Sequence, residues 1–394
     1  MQTIGKSMHL IAAWGLVFLC VVVLYLRSPG KSFNLSHNSF SGISYDKIPQ
    51  DFSVYLRATE RVKRNTNPYV VGEVLPYKYA PGFLVPLSFL PKDQASAWKV
   101  FGGLSLLAWA SAILFGVSFK NWKQVGSLFL GLVLSWKGIL ETLDYGQIEF
   151  FLFFFLTISA LLWRNYPSFT GILMGSLPWI KLPWLFFWLP FGLILWVQPS
   201  KKSFFRFFSG YFFASSVWLL FLPCFWFGGE ETYQLTLSWI RMICARTEDV
   251  YFSDFNQGIT VTMQQWLHLP LWLALVLTLT FGTAFSFLLL RRSMKSEAQE
   301  CCLGWISPWI LLGHLLNPLA WRWGSLLLIG IPFSLERHTL IQKPSYRRLL
   351  YWLAFSLWLA QQNPITQVFH YHWTDFHSIK NISAYWIVWL LLVV

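Results

Sequence analysis

The stretch "SFTGILMGSLPWIKLPWLFFWLPFGLILWVQ", residues 168 to 198, decides the fold. It is apolar almost throughout, yet it is longer than the ~20 residues that one helix needs to cross the hydrocarbon of a bilayer. Pro178, Lys181 and Pro183 interrupt it, and a proline inside a helix removes a backbone donor and clashes with the preceding turn. The run therefore reads as two half-length helices that meet near Lys181.

The rest of the chain extends that reading. Of 394 residues, 55% are hydrophobic, 19% aromatic and only 12% charged. This composition excludes an ordinary water-soluble domain and predicts an all-α polytopic bundle, because a helix satisfies its backbone polar groups within lipid. Spanning-length apolar segments stand at 8–26, 97–118, 147–163, 207–228 and 269–290, with weaker ones at 125–140, 303–317, 321–335, 349–363 and 382–394. Together with the broken run they give about 12 spans. They form a single integral membrane domain over 1–394, with no repeat and no separate soluble unit. The segment "GFLVPLSFLP", 82–91, is too short to span and reads as re-entrant or interfacial. The first apolar segment has no small-residue cleavage site and reads as a retained span.

Charge sets the sides. Lys6, Lys120 with Lys123, Arg164, Lys201 with Lys202, Arg291 with Arg292 and Arg347 with Arg348 fall in alternate loops, which are cytoplasmic by the positive-inside rule. The first outer loop, 27–81, the turn 141–149, the large outer loop 229–265 and the loop 364–381 then face outward and hold most of the acidic residues. The net charge of +13 is spread over these short loops, so it reports orientation and not a nucleic-acid surface. Cys20, Cys224, Cys244, Cys301 and Cys302 lie in or beside apolar segments with no zinc or disulfide spacing. "HYHWTDFH", with His370, His372, Asp375 and His377, also lacks a recognised zinc spacing and reads as a wet aromatic loop.

One polar stretch stands out, "PQDFSVYLRATERVKRNTNPY" at 49–69. Phe52, Tyr55, Leu56, Thr59 and Val62 recur at helical spacing, while Arg57, Glu60, Arg61, Lys63 and Arg64 fill the other face. That pattern predicts an amphipathic helix lying in the membrane interface on the outer side. Asp51 opens it, and a short carboxylate there is read from local chemistry as a cap on the first turn.

With "NPY" at 67–69 and "YKYAPGFLVPLSFLP" at 77–91, the stretch resembles the first outer loop of glycosyltransferase family 87. These are polytopic enzymes of the GT-C class that use a polyprenyl-phosphate-linked sugar. Asp51, Phe52, Tyr55, Pro68, Tyr69, Tyr77, Tyr79 and Pro81 carry the likeness. "DYGQIEFFLFFFL" is similar to the family's Gly-Gln turn, and "GILMGSLPWIKLPWLFF" to its Gly-rich helix ending in Lys-x-Pro. Gly146, Gln147, Gly171, Gly175, Lys181 and Pro183 stand in those motifs. "DFNQGITVTM" is similar to an Asn-Gln-Ser step and "LNPLAWRWG" to a Ser-Pro-x-x-Trp step followed by His. The likeness spans residues 10 to 335, in order. Glu149 stands where the family often has Asn, Gly258 replaces Ser, and Arg322 with Trp323 occupy the place of the His.

The resemblance implies transfer of mannose or another hexose from a polyprenyl-phosphate donor to a lipid or glycan acceptor, without a metal or other cofactor. It implies a multi-pass protein of a bacterial inner (plasma) membrane whose site faces the periplasmic, outer side. It carries the catalytic carboxylate over to Asp51, with Asp46 and Asp144 as alternatives. Displacing a phosphate from an anomeric carbon with inversion needs a base for the acceptor hydroxyl and a cation for the leaving phosphate. Lys181 and Arg322 are the candidate cations, set against snorkelling for Lys181 and a topological anchor for Arg322. Tyr55, Tyr79, Gln147, Asn256 and Gln257 are candidates for holding donor or acceptor. The competing class is a transporter or flippase of lipid-linked sugars, for which an internal repeat and paired ionisable residues within several spans are expected.

Overall fold

The computed structural model describes residues 2–27, 48–71, 73, 76–117, 119–199, 201–245, 258–295, 302–316 and 329–335. Asp46, Asn256, Gln257, Arg322, the His370 cluster, the expected spans at 349–363 and 382–394 and most of the one at 321–335 lie outside the described residues. The regular elements are all helical: α1 (Gln2–Arg27), α2 (Gln50–Lys63), α3 (Pro81–Ser88), α4 (Gln94–Gly116), α5 (Trp122–Tyr145), α6 (Glu149–Leu162), α7 (Pro167–Ile180), a 3-10 helix (Leu182–Trp188), α8 (Leu189–Val197), α9 (Lys202–Ser216), a π turn (Val217–Phe221), α10 (Leu222–Phe227) and α11 (Gly229–Ala245). Helices Ile259–Leu267, Leu271–Lys295, Cys302–Leu316 and Ile331–Leu335 follow. Prolines start helices here: Pro81, Pro167, Pro183, Pro190 and Pro223 all sit in a first turn, where a missing N–H costs nothing.

Among the described residues four helices are long and apolar enough to cross a membrane, at Met8–Leu26, Gln94–Gly116, Lys202–Phe227 and Leu271–Arg291. A fifth comes from α5 if its halves, bent by 53° between Trp136 and Gly138, form one span. Their outer faces are greasy: Phe18 is 69% and Leu279 68% exposed, which suits hydrocarbon and not water. This is a multi-pass helical membrane protein. The expected spans at 147–163 and 303–317 are shorter than foreseen: α6 has 14 residues and helix Cys302–Leu316 has 15. The latter is buried on nearly every side, so its unbroken apolarity answers to protein neighbours.

The run that opened the sequence reverses on itself. α7 runs parallel to α9, since Gly171 lies against Phe207, Gly175 against Tyr211, and the Ser215 hydroxyl lies 3.4 Å from the Gly175 carbonyl oxygen. A Cβ on Gly171 would lie 1.9 Å from the Phe207 carbonyl oxygen, so these glycines let two backbones meet as small residues do between membrane helices. The chain returns antiparallel, with Trp188 against Tyr211 and Trp196 against Phe204. The turning point is Lys181, extended at φ −150° and ψ 106°.

Side chains from the basic-loop ends meet away from that turn, as in the stacked Trp163–Trp305 pair at 5.5 Å and the His9–Trp122 pair at 5.0 Å. At the other end, Trp239 of α11 donates to the Lys78 carbonyl at 3.0 Å, Asn67 donates to Ser238 at 3.1 Å and the Ala80 N–H donates to the Trp179 carbonyl at 3.3 Å. The segments expected on the outer side thus converge.

α2 forms where the pattern predicts it, but its charged face is divided. Phe52, Val54, Tyr55 and Ala58 are buried, and so are Arg57 and Arg61. Arg61 makes a bidentate pair with Glu73 at 2.8 and 2.9 Å, and Arg57 lies 3.4 Å from the same carboxylate. Of the charged face only Lys63 and Arg64 are exposed, and Arg64 pairs with Glu60 at 2.8 Å. Helical spacing foresaw the helix but not which residues it buries: Leu56 and Val62 are only partly buried, and a carboxylate from a later loop makes part of the expected wet face an interior one.

Candidate active site

Asp51 is the second residue of α2, and no side chain caps that helix: the N-cap position belongs to Pro49. The capping role expected of Asp51 is therefore not the one it has. Its position is fixed from behind by aromatic packing, Phe52 lying 4.9 Å from Phe101 and 5.3 Å from Trp98 of α4.

It is fixed from the side by Gly146. That residue ends α5 in the left-handed region at φ 70°, its N–H donating to the Leu143 carbonyl at 3.0 Å while Gln147 N–H donates to Thr142 at 2.8 Å. A Cβ on Gly146 would stand 2.7 Å from Cβ of Phe52 and 2.9 Å from that of Pro49. Backbone conformation and space both demand glycine there, and the fit presses the Gly-Gln turn onto the start of α2.

The residues after Gly146 reach the Lys181 break. Nζ of Lys181 donates to Oε1 of Gln147 at 2.8 Å and to the carboxylate of Glu149. Glu149 is 3% exposed and opens α6, where the helix dipole favours its negative charge. Lys181 is partly buried and ion-paired, so the snorkelling alternative gives way to an internal contact.

Asp51 is partly exposed, yet burial raises its pKa from 3.8 to about 6. The Lys181 charge opposes that rise, Glu149 adds to it, and Lys78 opposes it more weakly. A carboxyl that half-ionises near pH 6 can accept a proton at neutral pH and still hold it. Beside it, the hydroxyls of Tyr55 and Tyr79 are 2.8 Å apart and both phenols are pushed well above 10, chiefly by burial. Tyr69 donates to the Tyr79 carbonyl at 2.9 Å, tying the Tyr77–Tyr79 segment to the chain beyond α2.

Asp51, Tyr55, Tyr79, Gln147 and Lys181 thus share one end of the bundle, although up to 130 positions separate them. Glu149, read from sequence only as a departure from the motif, belongs to the same group, as does Lys78. The available signal for Glu149 was its place as the lone charge of "EFFLFFFLTISALL". Tyr77 Oη, Trp179 Nε1 and Glu149 Oε2 are buried nearby without hydrogen-bond partners among the described residues. The arrangement offers a proton acceptor, a cation and several unused polar groups at one mouth.

The family model for glycosyltransferase family 87 matches residues 77–306, more than half of the chain. The chain belongs to glycosyltransferase family 87. No curated protein and no solved structure matches it. As a family 87 glycosyltransferase it is a sugar-transferring enzyme of the membrane-embedded GT-C class. The matched segment includes Tyr79, Gln147, Glu149 and Lys181, whereas Asp51 and Tyr55 precede it and Arg322 follows it. Among the described residues of this glycosyltransferase, no group of three or more His, Cys, Asp or Glu side chains is gathered where it could hold a metal ion.

Proposed function

We propose that this glycosyltransferase moves a hexosyl group, mannose or another hexose, from a polyprenyl phosphate to a hydroxyl of a lipid or glycan acceptor, with inversion at the anomeric carbon. The reading is carried by one observation: the half-buried Asp51 carboxyl, raised by burial, stands in the field of the partly buried Lys181 that Gln147 and Glu149 hold, at the end of the bundle where the outer loops meet. In this reading Asp51 is the catalytic base. The acceptor oxygen forms its bond to the anomeric carbon as the carbon–oxygen bond to phosphate breaks, the acceptor proton passes to Asp51, and the electron pair leaves with the polyprenyl phosphate.

Lys181 neutralises the leaving phosphate by a charge-assisted hydrogen bond, the task a metal ion performs in other transferases. Tyr55, Tyr79 and Gln147 hold sugar hydroxyls, with Asn256, Gln257 and Arg322 as further ligands from the later loops. α2 lies at the membrane interface, where a lipid-borne phosphate arrives from one side and an acceptor from the other. In this reading the site belongs to the outer, periplasmic face of a bacterial inner membrane, in a bundle of about 12 spans, a sidedness that the alternation of basic loops supports.

The test is transfer of radiolabelled sugar from polyprenyl-phosphate donors by the reconstituted protein, wild type against Asp51→Asn, with thermal melting as a folding control. Loss of transfer in a folded Asp51→Asn variant is the expected result. Full transfer by that variant moves the base to Asp46 or Asp144, and no transfer by the wild type from any such donor leaves a flippase of lipid-linked sugars as the better reading.

A further inference from the structure

Glu149 has no task in the transfer step. It is nonetheless the most buried charge of the cluster, with one carboxylate oxygen on the Lys181 ammonium and the other, Oε2, without a hydrogen-bond partner among the described residues. Burying a carboxylate is costly unless it is paired, and the pair it makes neutralises the lysine that a phosphate needs. Gln147 Oε1, 2.8 Å from Nζ, holds the same ammonium without changing its charge. The cation therefore sits between one neutral acceptor and one charged acceptor, close enough to Asp51 to act on its charge.

We propose that Glu149 is a positioning residue that holds the Lys181 ammonium in place while no donor is bound and competes with the donor phosphate for it. The inference rests on the transfer reading for the identity of that phosphate. Donor binding then exchanges a carboxylate partner for a phosphate partner at one lysine, and the cost of leaving the buried Glu149 carboxylate without its cation is what weakens that binding. Replacing Glu149 by glutamine keeps an acceptor oxygen beside Lys181 and removes only the competing charge. Phosphate affinity rises in that variant, while the apo protein, having lost the Lys181–Glu149 ion pair, melts lower.

A second consequence concerns pH. The charged groups acting on Asp51 are Lys181, Lys78 and Glu149, with the Tyr55 and Tyr79 hydroxyls on its flank. Taking away the Glu149 charge removes the carboxylate that favours protonated Asp51, so the acid limb of the rate profile moves to lower pH.

The probe is undecaprenyl phosphate titrated against the full-length protein in nanodiscs, binding being read from the shift in melting temperature. Glu149→Gln, and Glu149→Asn as a second variant should the first fold poorly, are expected to bind it about tenfold more tightly than wild type. Glu149→Asp, which keeps the charge, is expected to stay near wild type, and Lys181→Gln to bind more weakly. Equal or weaker binding by the folded neutral variants overturns the proposal, as does a wild type that does not bind the lipid phosphate. Binding is read without turnover, so the two readings fail separately. Tighter binding in the neutral variants with no transfer by wild type removes the transferase reading alone. Normal transfer by wild type with no tightening removes the competition alone.

Discussion

Nζ of Lys181 donates a 2.8 Å hydrogen bond to Oε1 of Gln147, 34 positions earlier in the chain. The contact joins the break in one helical hairpin to the turn that precedes α6, and both ends of it lie beside Asp51. The proposed transfer chemistry depends on that junction.

Asp51→Asn removes the proton acceptor and is expected to lower transfer by about 10²–10⁴-fold, the usual range for a general base. In the wild type kcat/KM should rise with pH through about 6 on the acid side, following the raised Asp51 pKa. A rate profile that is flat from pH 5 to 7 would sink this assignment.

The same substitution is expected to stabilise the protein. The folded pKa of about 6 exceeds the ordinary 3.8, so the native state binds the proton more tightly and stability falls as pH rises from about 4 to about 6. Above that window the ionised carboxyl costs roughly 1–3 kcal/mol, which Asp51→Asn recovers. Melting curves at pH 4 and pH 8 check this: the variant should melt higher than wild type at pH 8, with the difference shrinking at pH 4.

Lys181→Gln keeps a hydrogen-bonding side chain but loses the charge. Transfer should fall by roughly 10²-fold or more, on the scale of losing one preorganised donor to a developing negative charge. Single-turnover rates at saturating donor separate this from a simple loss of donor affinity.

Glu73→Gln leaves Arg57 and Arg61 buried beside a neutral amide. The expected cost is roughly 3 kcal/mol of stability, because neutralising one side of a buried ion pair is expensive, and detergent melting should show it. A change within experimental error would mean that the other contacts of the two arginines suffice.

Gly171→Ala sets a methyl against the Phe207 carbonyl, where the space for it is 1.9 Å. The α7–α9 crossing must open, at a cost of about 1–3 kcal/mol or more. Because Lys181 ends the same helix, donor binding should weaken with it, measurable as a raised KM.

Much of this protein is legible in its sequence. Composition makes it a helical membrane protein, and the prolines flanking Lys181 place the break correctly, because a missing N–H acts on its own helix wherever the chain later goes. Gly146 with Gln147 was legible for a similar reason: a helix ending in the left-handed region calls locally for glycine. Arg57 and Arg61 were misjudged as a wet face because Glu73, which makes their burial possible, lies more than two helical turns beyond the end of α2. Asp51 looked like a cap because local chemistry assigns that role to any aspartate in a first turn.

Sequence by itself determined the apolar periods, the helix ends and the residue types able to accept a proton or hold a phosphate, all of which follow from interactions within a few residues. Only the tertiary structure decided that Lys181 faces Gln147 and Glu149, that Gly146 seats the Asp51 turn, and that Asp51 is raised by burial instead of spent on a cap. Those outcomes depend on which helices pack together. The electrostatic environment of a carboxyl is the sum of groups brought from distant positions, and no local pattern records that sum.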